Sequence, residues 1–396
     1  MASTASEFTS IEICAGAGGQ AIGLHRAGFR HLALVEIDKN ARETLRRNIQ
    51  AWPDWAWELR HCDLSHSDVK DFEPLETIRR DGVPLQPEEL DLLAGGVPCP
   101  PFSHAGKQLG RDDERDLFPR MLDLVGKLRP RAVMIENVRG ILDPKFEDYR
   151  DYIKARLAGG SYREVDGTVV TVKGMNYRVC HWGLLEASNF GVPQLRPRAI
   201  LVAIREDVLK DVKYEWPTPT HEEPFSVAEA LKESMEARYA VHYGGVREQQ
   251  ARDALGRWHR KASERHAELR AKGSAGIAPT LVGGSKKHGG ADLGPSRAKA
   301  AWKQLGVSGL GVANDTETAE RKNSADRDLF GADGPMLTVE QAAIIQGFPH
   351  DWIFDGGKTA QYRQVGNAFP PPVAEAVGRS IMEVLKAARD RDAPQS

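Results

Sequence analysis

Cysteine is scarce in this chain: Cys14, Cys62, Cys99 and Cys180 are the only four in 396 residues, with no C-x-x-C spacing and no histidine cluster to complete a zinc site. This argues against a disulfide framework and against a metal, and leaves each thiol as buried filler or as chemistry. No apolar run approaches the roughly 18 to 20 residues that a membrane helix needs, so a spanning segment is not expected. The opening Met-Ala-Ser-Thr-Ala-Ser-Glu has neither a basic n-region nor an apolar h-region, which predicts a cytoplasmic protein without a secretory signal. Positive excess is lacking too. With 54 Lys and Arg against 56 Asp and Glu the net charge is −2, which excludes a histone-like basic protein but not a local basic face.

What the chain does have is ordered alternation. Ser10 to Ala15 reads as a strand that breaks into Gly16-Ala17-Gly18-Gly19, and Gln20 to Ala27 then carries helix-forming residues up to Gly28. A second strand, Leu32 to Val35, ends at Glu36, and Asp38 is placed to cap a helix in which Ala41, Leu45 and Ile49 share one face. Further strands are predicted at Asp91 to Ala94, Ala132 to Ile135, Tyr177 to Trp182 and Arg198 to Ile204. Strands alternating with helices predict an α/β fold with a doubly wound, mostly parallel sheet.

Beyond about residue 205 the alternation decays and charge segregates. Residues 251–303 hold 12 Lys and Arg against 4 Asp and Glu, a net of +8, so the rest of the chain sums to −10. Within that window Gly273 to Gly294 reads as a glycine-rich loop around Lys286-Lys287-His288. Taken alone, such a charge run is most often a solvated surface insert. Periodicity returns after residue 335, with Thr338 capping a helix through Gln346, and Pro370 to Pro372 preceding a final helix from Val373 to about Ala388.

A glycine turn between strand and helix lets the backbone approach a ligand in φ angles that other residues resist. Glu36 follows Gly16 by 20 residues, the spacing at which a carboxylate can accept hydrogen bonds from ribose hydroxyls. These residues permit an adenosine cofactor, whether NAD, FAD or S-adenosylmethionine, and they also fit a tight turn without a ligand. The third glycine of a G-x-G-x-x-G pattern would fall on Ala21, which weakens the pyrophosphate case. S-adenosylmethionine carries no phosphate, and Glu36 on the ribose with Asp63 near the adenine suits it better.

Asp91 to Ser103 is a strand that empties into a loop at the carboxyl edge of the sheet, where open α/β proteins bind ligands. Pro98 and Pro100 flank Cys99 and stiffen that loop, which marks this thiol, rather than Cys14, Cys62 or Cys180, as a nucleophile. Ala132 to Val138 is another apolar strand, carrying Glu136 at the same edge, and Gln194-Leu195-Arg196-Pro197-Arg198 brings two guanidiniums beside it. A nucleophile, a carboxylate and paired arginines around one cleft are far less expected together than singly.

With these blocks in this order, the chain resembles a DNA cytosine-5 methyltransferase of the bacterial type II restriction-modification kind. Cys14-Ala15-Gly16-Ala17-Gly18-Gly19 is similar to the family's cofactor loop, Glu36-Ile37-Asp38 to its ribose strand end, and Asp63-Leu64 to its adenine contact. Gly96-Val97-Pro98-Cys99 with Phe102-Ser103 resembles the Pro-Cys loop, Glu136-Asn137-Val138 the Glu-Asn-Val block, and Gln194-x-Arg196-x-Arg198 the paired-arginine block. Gln346-Gly347-Phe348-Pro349 and Gln364-Val365-Gly366-Asn367-Ala368 resemble the last two blocks. Three positions depart from the pattern: Cys14 stands where an aromatic is frequent, Pro100 where glutamine is common, and Pro335 where a basic residue usually opens a block.

The resemblance implies a doubly wound, Rossmann-like methyltransferase domain (1–205), a smaller irregular target-recognition domain (206–334), and a return segment (335–396) completing the first. It implies S-adenosyl-L-methionine as cofactor, held by the loop residues together with Pro98, Asn367 and Ala368, and Cys99, Glu136, Arg196 and Arg198 as catalytic residues. Duplex DNA is the implied partner, met by Ser103, Lys286, Lys287, His288 and Arg297, and the +8 window becomes the recognition region. A monomer functionally paired with a restriction endonuclease is expected. Three competing readings are a catalytically silent DNA-binding relative, an NAD-dependent oxidoreductase and a transfer-RNA cytosine methyltransferase. The intact Pro98-Cys99 and Glu136, the missing third glycine and the long recognition segment weigh against them in turn.

Overall fold

A computed structural model describes residues 7–80, 82–98, 116–164, 166–221, 223–272, 277–283 and 291–393. Cys99, Pro100, Ser103, Lys286, Lys287 and His288 lie outside the described residues. The described residues hold ten strands, β1 (Thr9–Ile13), β2 (Arg30–Val35), β3 (Arg79–Arg80), β4 (Val83–Pro84), β5 (Leu92–Gly95), β6 (Ala132–Val138), β7 (Gly160–Arg163), β8 (Val169–Val172), β9 (Tyr177–Glu186) and β10 (Pro197–Arg205). Six of them form one sheet in the order β2-β1-β5-β6-β10-β9, while β3 with β4 and β7 with β8 make separate two-stranded pairs.

Two compact units divide the chain. One comprises residues 1–185, 197–218 and 373–396, the other residues 186–196 and 219–372. The first holds the sheet. All five residues of β1 are buried, as a central parallel strand covered on both faces requires. It pairs in parallel with β2 and β5, β5 pairs in parallel with β6, and β10 closes on β6 antiparallel. Ile11, Ile13, Leu93, Val133, Ile135 and Leu201 share one core cluster with the inner face of the helix Phe118–Leu128. The helix Gly19–Arg26 follows β1, and Asp38 caps the helix Lys39–Ala51 by accepting from Asn40 N and Ala41 N.

The second unit is mainly helical. Ser226 and Glu229 form a reciprocal cap on the helix Val227–Ala240, and Thr338 and Gln341 form another on Val339–Gln346. The 24-residue helix Glu248–Ala271 buries Ala251, Ala254, Trp258 and Ala262. Lys358–Asn367 belongs here too, because Gly366 presses on the backbone of Gly283: a Cβ at Gly366 would lie 2.6 Å from Gly283 N. The sequence division therefore shifts. Residues 335–372, expected with the return segment, cluster in the second unit, and only residues 373–396 rejoin the first. Within that returning helix, Gly378 packs on Leu24 and Ala27.

Among the described residues no helix is long and apolar enough to cross a membrane, and no His, Cys, Asp and Glu group is arranged to hold a metal ion.

Candidate active site

At the carboxyl end of β1 the backbone takes positive φ at Cys14 (55°), Gly16 (56°) and Gly18 (91°). At Gly16 nothing lies within 4 Å of where a Cβ would stand. The glycine therefore serves the φ angle and leaves open space over the turn. Gly16 N donates to Glu36 Oε2 at 2.8 Å, and Asp38 N donates to Oε1 at 2.8 Å, so the carboxylate that follows β2 is oriented by two backbone amides. Burial raises the pKa of Glu36 above the usual carboxylate value, although those amides oppose the shift. Next to it Ile37 is 70% exposed, an apolar surface beside the Glu36 carboxylate. Asp63 pairs with Ala33 in an isolated parallel bridge, and its side chain accepts from Ser65 N and Ser65 Oγ and contacts His66 Nδ1 at 3.0 Å. Leu64 beside it is half-buried.

Three cysteines, Cys14, Cys62 and Cys180, lie among the described residues. Burial, with Glu36, Glu12 and Asp68 adding negative charge, pushes the Cys14 thiol up to about 12. Cys62 is raised well above the usual thiol value and Cys180 to about 11, burial being the largest cause in both. In all three, burial favours the thiol over the thiolate.

The loop leading to Cys99 is described as far as Pro98, which is exposed. β5 ends at Gly95, where a Cβ would lie 2.9 Å from Ile13 O, and one at Gly96 would lie 3.2 Å from Glu136 Oε2. Two glycines in succession thus let the loop pass close to the end of β1 and to the Glu136 carboxylate. Asn137 Nδ2 donates to Val97 O at 2.8 Å and Asn137 Oδ1 accepts from Val138 N, tying the loop to the end of β6. Asn137 belongs to a motif that sequence reading noticed, yet its loop-holding role needed the structure.

Arg198 Nε lies 2.8 Å from Glu136 Oε1, both side chains being nearly buried. The antiparallel register explains the pairing. Arg198 stands opposite Val138 and Ile200 opposite Glu136, so the two charged residues are diagonal neighbours two positions apart, on one face of the sheet. Such a pair keeps the carboxylate and guanidinium together in a partly desolvated place, where each is a directed hydrogen-bonding group.

Arg196 does different work. It is fully buried in the second unit, where Nη1 donates to Leu281 O (2.6 Å) and Nη2 to Gly366 O (2.7 Å) and Ala368 O (2.9 Å). Gln194 joins the same network, donating to Ile345 O and Gln346 Oε1 and accepting from Leu281 N, and Gln346 donates to Ala368 O. The blocks around residues 194, 346 and 366 thus converge in one buried polar cluster, and Arg196 is a scaffold there, unlike the catalytic role expected of it. Asn367 and Ala368 lie in this unit, and exposed Arg297 sits on its helix Ser296–Gln304.

Comparison with known proteins gives the family. The sequence profile of the family described as C-5 cytosine-specific DNA methylase matches residues 8–383. The chain is 45% identical to the type II methyltransferase M.NaeI of Lentzea aerocolonigenes, over 95% of this chain and 75% of that one. It is 42% identical to the type II methyltransferase M.NgoMIV of Neisseria gonorrhoeae, over 96% and 99%. Among solved structures, the Dnmt2 methyltransferase of S. pombe superposes with a TM-score of 0.52 at 15% identity, covering 96% of this chain and 99% of that one. The methyltransferase EhMeth of Entamoeba histolytica does so with 0.54 at 12%, with the same coverage. At those identities the structures speak for the fold. The profile and the relatives speak for more: the chain belongs to the C-5 cytosine-specific DNA methylase family and is a DNA cytosine-5 methyltransferase.

Proposed function

We propose that the chain methylates C5 of a cytosine flipped out of a specific duplex DNA sequence, through a covalent bond from the Cys99 sulfur to C6, and that it guards its host's DNA against a partner restriction endonuclease. The observation that carries this reading is the Arg198–Glu136 pair at 2.8 Å, beside the glycines that lead to Cys99.

Cytosine C5 is too weak a nucleophile to take a methyl group unaided. Addition of the Cys99 thiolate to C6 moves the C5–C6 π electrons toward C5, while Glu136 shares a proton with N3 and touches the exocyclic amine and Arg198 holds O2. S-adenosyl-L-methionine, when bound, supplies the electrophilic methyl group. A base then removes the C5 proton, the C5–C6 double bond re-forms, and the Cys99 thiolate leaves. Because the target atom is stacked inside a duplex, the base must first be extruded, at a cost of a few kcal/mol that phosphate contacts and pocket contacts offset.

The residues around Cys14 fit that cosubstrate. Glu36 sets a carboxylate against the glycine turn, accepting from Gly16 N, which suits a sulfonium cation and opposes a dinucleotide's pyrophosphate. Glu36 would hold the ribose, Ile37 and Asp63 the adenine, and the turn from Cys14 to Gly19 the methionine part. Residues 186–196 and 219–372 would form the target-recognition part, with the +8 window facing DNA. The type II names of the relatives support the endonuclease pairing, and a single recognition part per chain supports a monomer.

Bisulfite sequencing of DNA from cells expressing the chain tests the reading. One sequence should be methylated at one cytosine, and Cys99→Ser should lose methylation while still shifting the duplex in a gel. Wild-type methylation rates in Cys99→Ser would refute the covalent role.

A further inference from the structure

We infer that the second unit carries a clamp for the DNA backbone apart from the glycine-rich basic window: a cleft of about 930 Å³ in which Arg321, Lys322, Arg327 and Lys358 take phosphates of the duplex. This rests on the reading that duplex DNA is the substrate.

Cations outnumber carboxylates in the lining of the cleft, and the carboxylates near them are held by the fold. Asp315 caps its own helix, accepting from Thr318 N at 2.8 Å. Asp328 is fully buried beside the cleft, where Oδ2 accepts from Asn314 N and Ser324 Oγ and Oδ1 binds Arg327. Glu340 is the remaining carboxylate in the lining. The cations are spent differently. Arg321 and Lys322 are exposed and have no ion-pair partner among the described residues, and Arg327 keeps a half-exposed side chain despite its contact with Asp328. Lys358 Nζ donates to the amide oxygen of Asn314 at 2.9 Å. Its pKa is held below the ordinary lysine value, first by burial and then by the positive charges of Arg327 and Lys322. Lys322, Arg327 and Lys358 therefore lie within Coulombic reach of one another around one cavity, with Asp328 and Asp315 balancing them only in part, and a polyanion meets the excess positive charge favourably.

Size and lining favour a strand over a small ion. The cavity is far larger than one phosphate, and Thr316 adds a short hydroxyl donor of the kind that contacts phosphate oxygens. Ile353, 54% exposed in the same lining, offers an apolar surface to a sugar or a thymine methyl.

The test is the salt dependence of binding to a duplex containing the methylated sequence. Each lost phosphate contact should flatten the slope of log K against log salt by about 0.9. Arg321→Gln with Lys322→Gln changes only exposed side chains, so folding is preserved. This pair should flatten the slope by about 1 to 2 and weaken binding about tenfold or more at moderate salt, and Lys358→Gln should add to both. If slope and Kd stay within twofold of wild type while wild type binds and methylates the duplex, the clamp is wrong and the methyltransferase reading stands. If wild type neither binds nor methylates duplex DNA, that reading falls and takes the clamp with it. Displacement of the duplex by free dCMP at equal phosphate concentration, in wild type but not in the double variant, would overturn the clamp in favour of a small-ligand pocket.

Discussion

Two arginines separated by a single proline carry different tasks, and their side-chain partners separate them. Arg196 spends its guanidinium on the carbonyls of Leu281, Gly366 and Ala368, and Arg198 spends its own on Glu136. Removing Arg196 would strand three buried acceptors. Arg196→Met should therefore destabilise by about 3 to 5 kcal/mol and lower the melting temperature before any kinetic effect is read. Arg198→Gln should change the melting temperature much less and lower kcat by about 100-fold or more, as loss of a directed donor at a reacting oxygen does. Equal melting temperatures for the two variants would contradict this split. Sequence alone could not make it, because Gln194-x-Arg196-x-Arg198 presents both guanidiniums with the same spacing to the strand. What was legible was where these residues stand: Glu36, Glu136 and Arg198 lie at or near strand ends where apolar runs stop. Gly16, Gly95 and Gly96 mark backbone that passes where a side chain would crowd or strain it.

At the scale of elements, the strands were legible and two long helices were not. Apolar runs cut by glycine, proline or acid gave the sheet strands to within a few residues. The helices Val227–Ala240 and Glu248–Ala271 hide because the second buries mainly alanines at 251, 254 and 262 with one tryptophan, a weak stripe in a polar segment. The Ser226 and Glu229 cap was the available signal for the first. One junction of elements makes a pH prediction. His31 in β2 is buried between β1 and the helix Gly19–Arg26: Nε2 donates to Ala21 O and Nδ1 accepts from Ser10 Oγ, a neutral ring with both nitrogens engaged. Burial lowers its pKa from 6.5 to about 4. Below pH 6.5 the unfolded chain binds a proton that the folded chain refuses, so stability falls as pH drops from about 6.5 to about 4, by up to about 3 kcal/mol. Urea unfolding across that range should show the decline, and His31→Gln should flatten it. A His31→Gln curve parallel to wild type would show that other groups carry the effect.

For the whole molecule the net charge of −2 misleads, since +8 is gathered in residues 251–303 and −10 is spread over the rest. The fold keeps that segregation on one unit: the helix Glu248–Ala271 turns small residues and Trp258 inward and leaves Arg252, Arg257 and Arg260 on the surface, with Arg297 exposed on a later helix. The same unit claims residues 335–372, which the resemblance implied for the returning segment, because a helix pattern reveals a buried face without revealing which partner buries it. A chain of near-neutral sum can therefore meet DNA strongly through one unit while the acidic remainder discourages binding in other orientations. Binding should weaken steeply with salt, and alanine at Lys286, Lys287 and Arg297 together should flatten the log–log slope by up to about 3 if each meets a phosphate. The effect should be nearly equal on the methylated sequence and on unrelated duplex, since phosphate contacts carry no base identity. A loss confined to the methylated sequence would instead make these residues base readers, and an unchanged slope would remove the basic window from the DNA interface.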